Sequence, residues 1–327
     1  MAINNLKISV ITLKDIAVSL LVVVISYGLG RLYVEGDQEH YISAYLAMQD
    51  TNLLDGFLIY KAHLSTEEPI HFLISWVSSS IFGVDKLILM SISNGLLAYL
   101  FVRIVKKLGG APLIAYFLVV SNFYLWMLYL AGERFKFSFL FLLLAIQIRE
   151  GQVISRIFYA LSILSHLQIL ILFVSKFFEK FSLDLLKIFK NFSLQRAFLI
   201  YVVFSVVAFL FLFYALGDYF FWKVPQYLRS FGIASIWQVA LFMALTLLYV
   251  KNKLNIFFFF VPILVASSFV GPERIVILAY FVFLFHAVQY RSGINYGVGL
   301  TTVYFGIKAV EFGINIVNSG QGFSEIP

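Results

Sequence analysis

Cysteine is absent from this sequence. Disulfides, thiolate catalysis, iron–sulfur clusters and cysteine-bound zinc are therefore excluded. Charge is scarce as well: 13% of residues are charged, about half of what a soluble domain carries. Proline is rare, and no proline-rich, serine-rich or low-complexity stretch marks a linker. No glycine-rich phosphate loop is present; Gly297-Val298-Gly299 lacks the strand–helix context that would make it one. No serine-centred nucleophile elbow appears. His63 and Glu67 stand four apart with no third ligand at a fixed spacing, so no metal site is read from the sequence.

What is present is apolar. The chain is 61% hydrophobic with a mean hydropathy of +0.93. Long runs such as Ile200 to Leu216 show no alternation of polar and apolar residues. That pattern predicts membrane helices rather than a β-barrel. The expected fold is all-α: a polytopic transmembrane helical bundle forming a single integral domain over 1–327. Apolar segments fall at 16–32, 70–83, 87–105, 112–130, 134–148, 157–175, 197–216, 234–250, 255–270, 274–290 and 295–312, giving about nine to eleven membrane segments. The net charge of +7 lies in short loops between these runs, where it orients helices. It is not a nucleic-acid signal, and no nucleic-acid partner is expected.

The stretch 35–68 carries seven acids against one lysine, Lys61. Basic residues are retained on the cytoplasmic side, so this acidic loop is expected outside. Its aromatic and aliphatic residues predict short amphipathic helices at the membrane surface. Ser65 and Thr66 before Pro69 read as a helix start. Simple alternation of spans cannot keep Arg103, Lys106 and Lys107, then Arg149 and Arg156, then Lys176 to Arg196 all inside. It can if segments 70–83 and 157–175 are broken or re-entrant, as membranes permit where irregular backbone lines a cavity.

Charged residues near an apolar layer are costly and point to function. An arginine follows an acid at the edge of two segments, in Glu133-Arg134 and in Glu273-Arg274. Guanidinium groups hold phosphate by forked, charge-assisted hydrogen bonds. Lys136 adds a cation near Arg134, and Tyr280 follows Arg274 by six positions. Asp37, His40 and Tyr41 share one face if helical, and a carboxylate there could take a proton from a hydroxyl. Of Glu67 and Glu68, one could act in a site while the other favours the helix dipole. His166 lies in the middle of an apolar segment, with Ser162, Ser165 and Gln168 close in sequence. The loop Asp218 to Gly232 holds Lys223, Gln226, Tyr227 and Arg229 and could bind phosphate or sugar, or form an aromatic surface belt.

The order of these features resembles the EpsG and Wzy type of exopolysaccharide and O-antigen polymerases. The motifs are Asp37…Tyr41 after the first helix, Glu68-Pro69, Arg134 opening a mid-chain helix, His166, and Arg274 with Tyr280 downstream. They span roughly residues 35–285. Phe135 stands where the family usually has Gln. The resemblance implies a GT-C-like bundle in a bacterial inner membrane with a periplasm-facing site and no cofactor. It implies glycosyl transfer between undecaprenyl-diphosphate-linked oligosaccharides among membrane lipids, with a chain-length regulator as a further partner. Arg134 and Arg274 would hold the diphosphate, with Glu133, Glu273, Tyr41, His40, Tyr280 and Lys136 around the substrate. Asp37, Glu68 and His166 would be the catalytic candidates. A lipid-linked oligosaccharide flippase and an O-antigen ligase are the rival readings.

Overall fold

The computed structural model describes residues 13–148, 151–191, 214, 233–268 and 272–323. Segment 197–216, the loop Asp218 to Gly232, Arg149 and Arg196 lie outside the described residues, Tyr214 excepted. Every regular element among the described residues is helical. Among the described residues, three helices are long and apolar enough to cross a membrane, or four if one bent pair counts as a single span. The chain divides into two compact units, residues 1–167 with 288–327, and residues 168–287.

The first unit begins with α1 (Leu13–Leu32). The acidic loop then folds into α2 (Asp37–Ala47) and α3 (Leu53–Leu64), the short helices its amphipathic pattern predicts. Asn52 caps α3 by accepting from the Leu54 and Asp55 amides. The predicted helix start at Ser65 and Thr66 is corrected. Ser65 instead ends α3 in the left-handed conformation (φ 49°). The next helix, α4 (Pro69–Trp76), starts one residue after Glu68, with proline in its first turn. It continues as a π-helical stretch, Val77–Ile81. Segment 70–83 is thus irregular in winding but unbroken.

Then come α5 (Lys86–Lys107), α6 (Pro112–Ser121), α7 (Phe123–Leu130), α8 (Glu133–Gln147), α9 (Val153–Ser165) and, late in the chain, α14 (Tyr296–Ser319). Side-chain contacts set their directions. Asp15 near the start of α1 pairs with Lys106 at the end of α5 (2.9 Å) and accepts from Tyr116 of α6 (2.7 Å). At the other end, a Cβ on Gly30 would come within 2.6 Å of Leu87. The two helices are therefore antiparallel and in close contact, and Gly95 makes that possible: a Cβ there would lie 2.3 Å from Val23. Lys107 donates to the last carbonyls of α8, Ile146 and Gln147, where it also favours the negative end of the dipole. Ser138 and Ser162 bond α8 to α9. The Val34 and Glu35 amides donate to Gly320 beyond α14.

Two interruptions matter. Segment 112–130, read as one helix, bends by 55° between α6 and α7. Asn122 sits at the break and accepts from the Tyr124 and Leu125 amides, so α7 is newly capped. Segment 157–175 breaks at His166, whose backbone is extended (φ −163°, ψ 116°).

The second unit holds α10 (Leu170–Asn191), α11 (Ile233–Tyr249), α12 (Lys253–Ala266) and α13 (Pro272–Ala287). Within it Glu179 of α10 accepts from Lys176 (2.7 Å) and from Asn255 of α12 (3.2 Å).

Candidate functional site

Three sequence-distant side chains meet in the first unit. Glu68 precedes α4 and makes no side-chain cap. Proline at the first helical position has no N–H to satisfy, which reduces the call on a capping carboxylate. The carboxylate turns instead to the site. One oxygen accepts from Arg134 Nη1 (3.1 Å), and the other is hydrogen-bonded to His166 Nδ1. Arg134 Nε donates to the Tyr41 hydroxyl (2.9 Å). Glu68, Arg134 and His166 side chains are 10%, 18% and 6% exposed, so the cluster is largely sheltered yet reachable through the arginine.

Burial alone would push the Glu68 carboxyl up; His166 and Arg134 outweigh it and draw it from 4.5 to about 2. An ionised carboxylate only accepts, so the proton between the pair belongs to Nδ1 of His166. The break after α9 is what presents the imidazole at a helix end. His71 of α4 lies beside the cluster. Its Nδ1 is bonded to the Tyr60 hydroxyl (3.0 Å), its ring meets the Tyr41 ring edge-on at 5.8 Å, and its Nε2 is buried with no partner among the described residues.

A second cluster adjoins the first. Lys86 donates to Glu133 (2.6 Å) and to the Gln38 amide oxygen (2.7 Å), while Gln38 donates to the Leu130 carbonyl (2.6 Å). Lys86 and Arg134 each sit in the first turn of a helix, where the dipole disfavours a cation. Each is held there by an acid from another segment. The Tyr41 ring lies between them, 5.8 Å from Lys86 Nζ and 6.0 Å from Arg134 Cζ.

Several sequence expectations change here. Glu133 and Arg134 are neighbours but not partners: successive helix positions diverge by about 100°, so Glu133 reaches Lys86 and Arg134 reaches Glu68. Lys136 does not join the site. It is fully buried, donating to Asn94 Oδ1 (2.9 Å) and the Tyr129 carbonyl (3.3 Å). Asp37, His40 and Tyr41 lie in one helix at the expected three- and four-residue spacing, but they differ in burial. Tyr41 packs inward with Gln38, Ala44 and Tyr45, whereas Asp37 and His40 are exposed. Of the two acids before Pro69, Glu68 enters the site and Glu67 pairs outside with Lys61 (2.5 Å).

Arg274, Glu273 and Tyr280 belong to the second unit. Glu273 is exposed and Arg274 half-buried in the first turn of α13. Tyr280 is fully buried, its ring 5.4 Å from those of Phe242 and Phe281. Lys86, Gln38, Tyr60 and His71 were not singled out from the sequence. The spacing of Gln38, Tyr41, Tyr45 and Met48 carried a signal for Gln38 on α2, since three- and four-residue steps mark one helical face.

Among the described residues no group of three His, Asp or Glu side chains is placed to hold a metal ion. Comparison with family models, curated proteins and solved structures finds no match for this chain.

Proposed function

We propose that this chain is a membrane glycosyltransferase that joins oligosaccharide repeat units carried on a lipid diphosphate. The observation that supports this best is the Glu68 carboxylate held between Arg134 and His166, three residues from three segments. The order of the motifs from Asp37 to Tyr280 adds to it. The first unit bonds the described motif residues Tyr41, Glu68, Arg134 and His166 together, and Asp37 stays outside that set.

The chemistry asks for few parts. The anomeric carbon is already activated by its diphosphate, so no nucleotide is needed. As the acceptor hydroxyl oxygen bonds to that carbon, the carbon–oxygen bond to the diphosphate breaks and the electron pair leaves with phosphate. Arg134 meets that growing charge with its remaining Nη2, and with the face now turned to Glu68. The hydroxyl proton passes to Nε2 of His166, while Glu68 steadies the imidazolium through Nδ1–H. Glu68 is thus an orienting acid, and His166 the base. Asp37 takes no part. Arg274, in the second unit, is a separate cation whose role the same test reads. The site lies on the periplasmic side, with the acidic loop.

The test is gel analysis of surface glycan in a strain lacking this chain, complemented with wild type, Arg134→Ala, His166→Ala or Arg274→Ala. Membrane abundance is measured alongside. The expected result is that Arg134→Ala and His166→Ala collapse the ladder to a single repeat at wild-type abundance. An intact ladder with both would remove the mechanism. Full loss of surface glycan would favour a flippase, and long chains left on the carrier would favour a ligase.

A further inference from the structure

The Lys86–Glu133–Gln38 cluster forms one wall of a cleft of about 560 Å³ that the proposed reaction does not use. Neither Glu68, Arg134 nor His166 lines it. The Tyr41 ring lies 5.8 Å from Lys86 Nζ, which lines the cleft, and 6.0 Å from Arg134 Cζ, which does not. Its charged lining is balanced: Arg31 and Lys86 against Asp85 and Glu133. Three of those four charges are already engaged. Lys86 and Glu133 bind each other, and Asp85 caps α5 by accepting from the Leu87 and Ile88 amides. An anion would have to displace Glu133 to reach Lys86, and the fourth charge, Arg31, is exposed to solvent, where a single ion pair is worth little. The rest of the polar lining is neutral and positioned. Asn94 gives its oxygen to buried Lys136, which leaves the amide nitrogen as the end available to the cleft. Gln38 is clamped at both ends, by Lys86 and by the Leu130 carbonyl. Apolar Leu46, Leu87 and Met90 complete the walls. Amide groups fixed in place beside apolar patches suit a ligand with many hydroxyls and apolar C–H faces.

We infer that this cleft binds a neutral oligosaccharide, separately from the anion-holding cluster at Arg134. This rests on the glycosyltransferase reading for its place in the reaction, where it would seat the neutral glycan portion of a substrate, but not for the binding itself.

The experiment applies labelled full-length protein in detergent to an array of neutral and acidic oligosaccharides. Wild type is expected to retain neutral structures over their acidic counterparts. Asn94→Leu and Leu46→Trp should each weaken that retention at least tenfold, and Lys308→Ala, on exposed α14, should leave it unchanged. Leu46 is exposed, so its substitution tests the cleft even if Asn94→Leu fails to fold. Absence of retention, preference for acidic glycans, or unchanged retention in Leu46→Trp would overturn the inference. The array reads the cleft, and the Arg134→Ala ladder reads the ion cluster, so either can fail while the other stands.

Discussion

At the scale of single residues, the site is a set of charges placed where an apolar surrounding makes each costly unless partnered. Glu68 shows this best, because it answers to two partners at once. Its carboxyl is lowered from 4.5 to about 2, so its ionised form contributes stability. That contribution is complete above pH 4.5 and is lost as pH falls from there through about 2. Glu68→Gln should therefore melt below wild type at neutral pH, by about 3–5 kcal/mol where a buried pair loses one partner. The gap should narrow as both are melted at falling pH below 4.5. A gap that stays constant down to pH 3 would show that Glu68 acts through packing and not through charge. Lys136 poses the opposite case, a buried amine with neutral hydrogen-bond partners. Lys136→Met strands the Asn94 amide oxygen and should cost about 1–3 kcal/mol. Adding Asn94→Leu should recover part of that, since the stranded amide oxygen is gone while the Tyr129 carbonyl still lacks the donor that Lys136 gave it. A double-mutant cycle on thermal melts decides it; additive losses would mean the two do not act together. The sequence showed these residues and not their pairings. Glu133-Arg134 looked like a pair because the letters adjoin, and only the helix winding sends them to separate partners.

At the scale of elements, most helices were legible because apolar length carries them, and the breaks were less so. The interruption at His166 was anticipated from a polar residue inside an apolar run. The one at Asn122 was not, because a lone asparagine in a run such as Leu118 to Leu130 contributes little to a hydropathy average. Its effect is local: the side chain offers the amides of Tyr124 and Leu125 a partner that competes with continuing the helix. Asn122→Ala should lower stability by about 0.5–2 kcal/mol, the worth of a cap, and Asn122→Ser should keep most of it. Equal melts for Ala and wild type would show that the 55° bend is imposed by packing. Gly95 tests the same level from the side of close approach. A Val23 methyl already occupies the space a Cβ would take, so Gly95→Val must push α1 from α5.

At the scale of the molecule, the first unit sorts its charges by end. Asp15, Lys106 and Lys107 gather where α5 finishes, and α5 at 22 residues is about 33 Å long, close to the thickness of a bilayer core. Lys86, Glu133, Glu68 and the acidic loop gather where it begins. Such a division, with lysines at one end and seven acids in the loop at the other, is what retention of basic residues on the cytoplasmic side would produce. It also explains why the number of crossings could not be counted from apolar runs alone. The helices α4, α8 and α9, of 8, 15 and 13 residues, are each too short to cross a core that needs about 20, and they meet at the ion cluster rather than beyond it. Reporter fusions after residues 85, 109 and 178 separate the possibilities. The expected pattern is outside, inside, inside. An inside signal at 85 would place the site on the cytoplasmic face, away from the lipid-linked glycans assumed for it. An outside signal at 178 would mean that the segment broken at His166 carries the chain across the membrane, against the expected pattern.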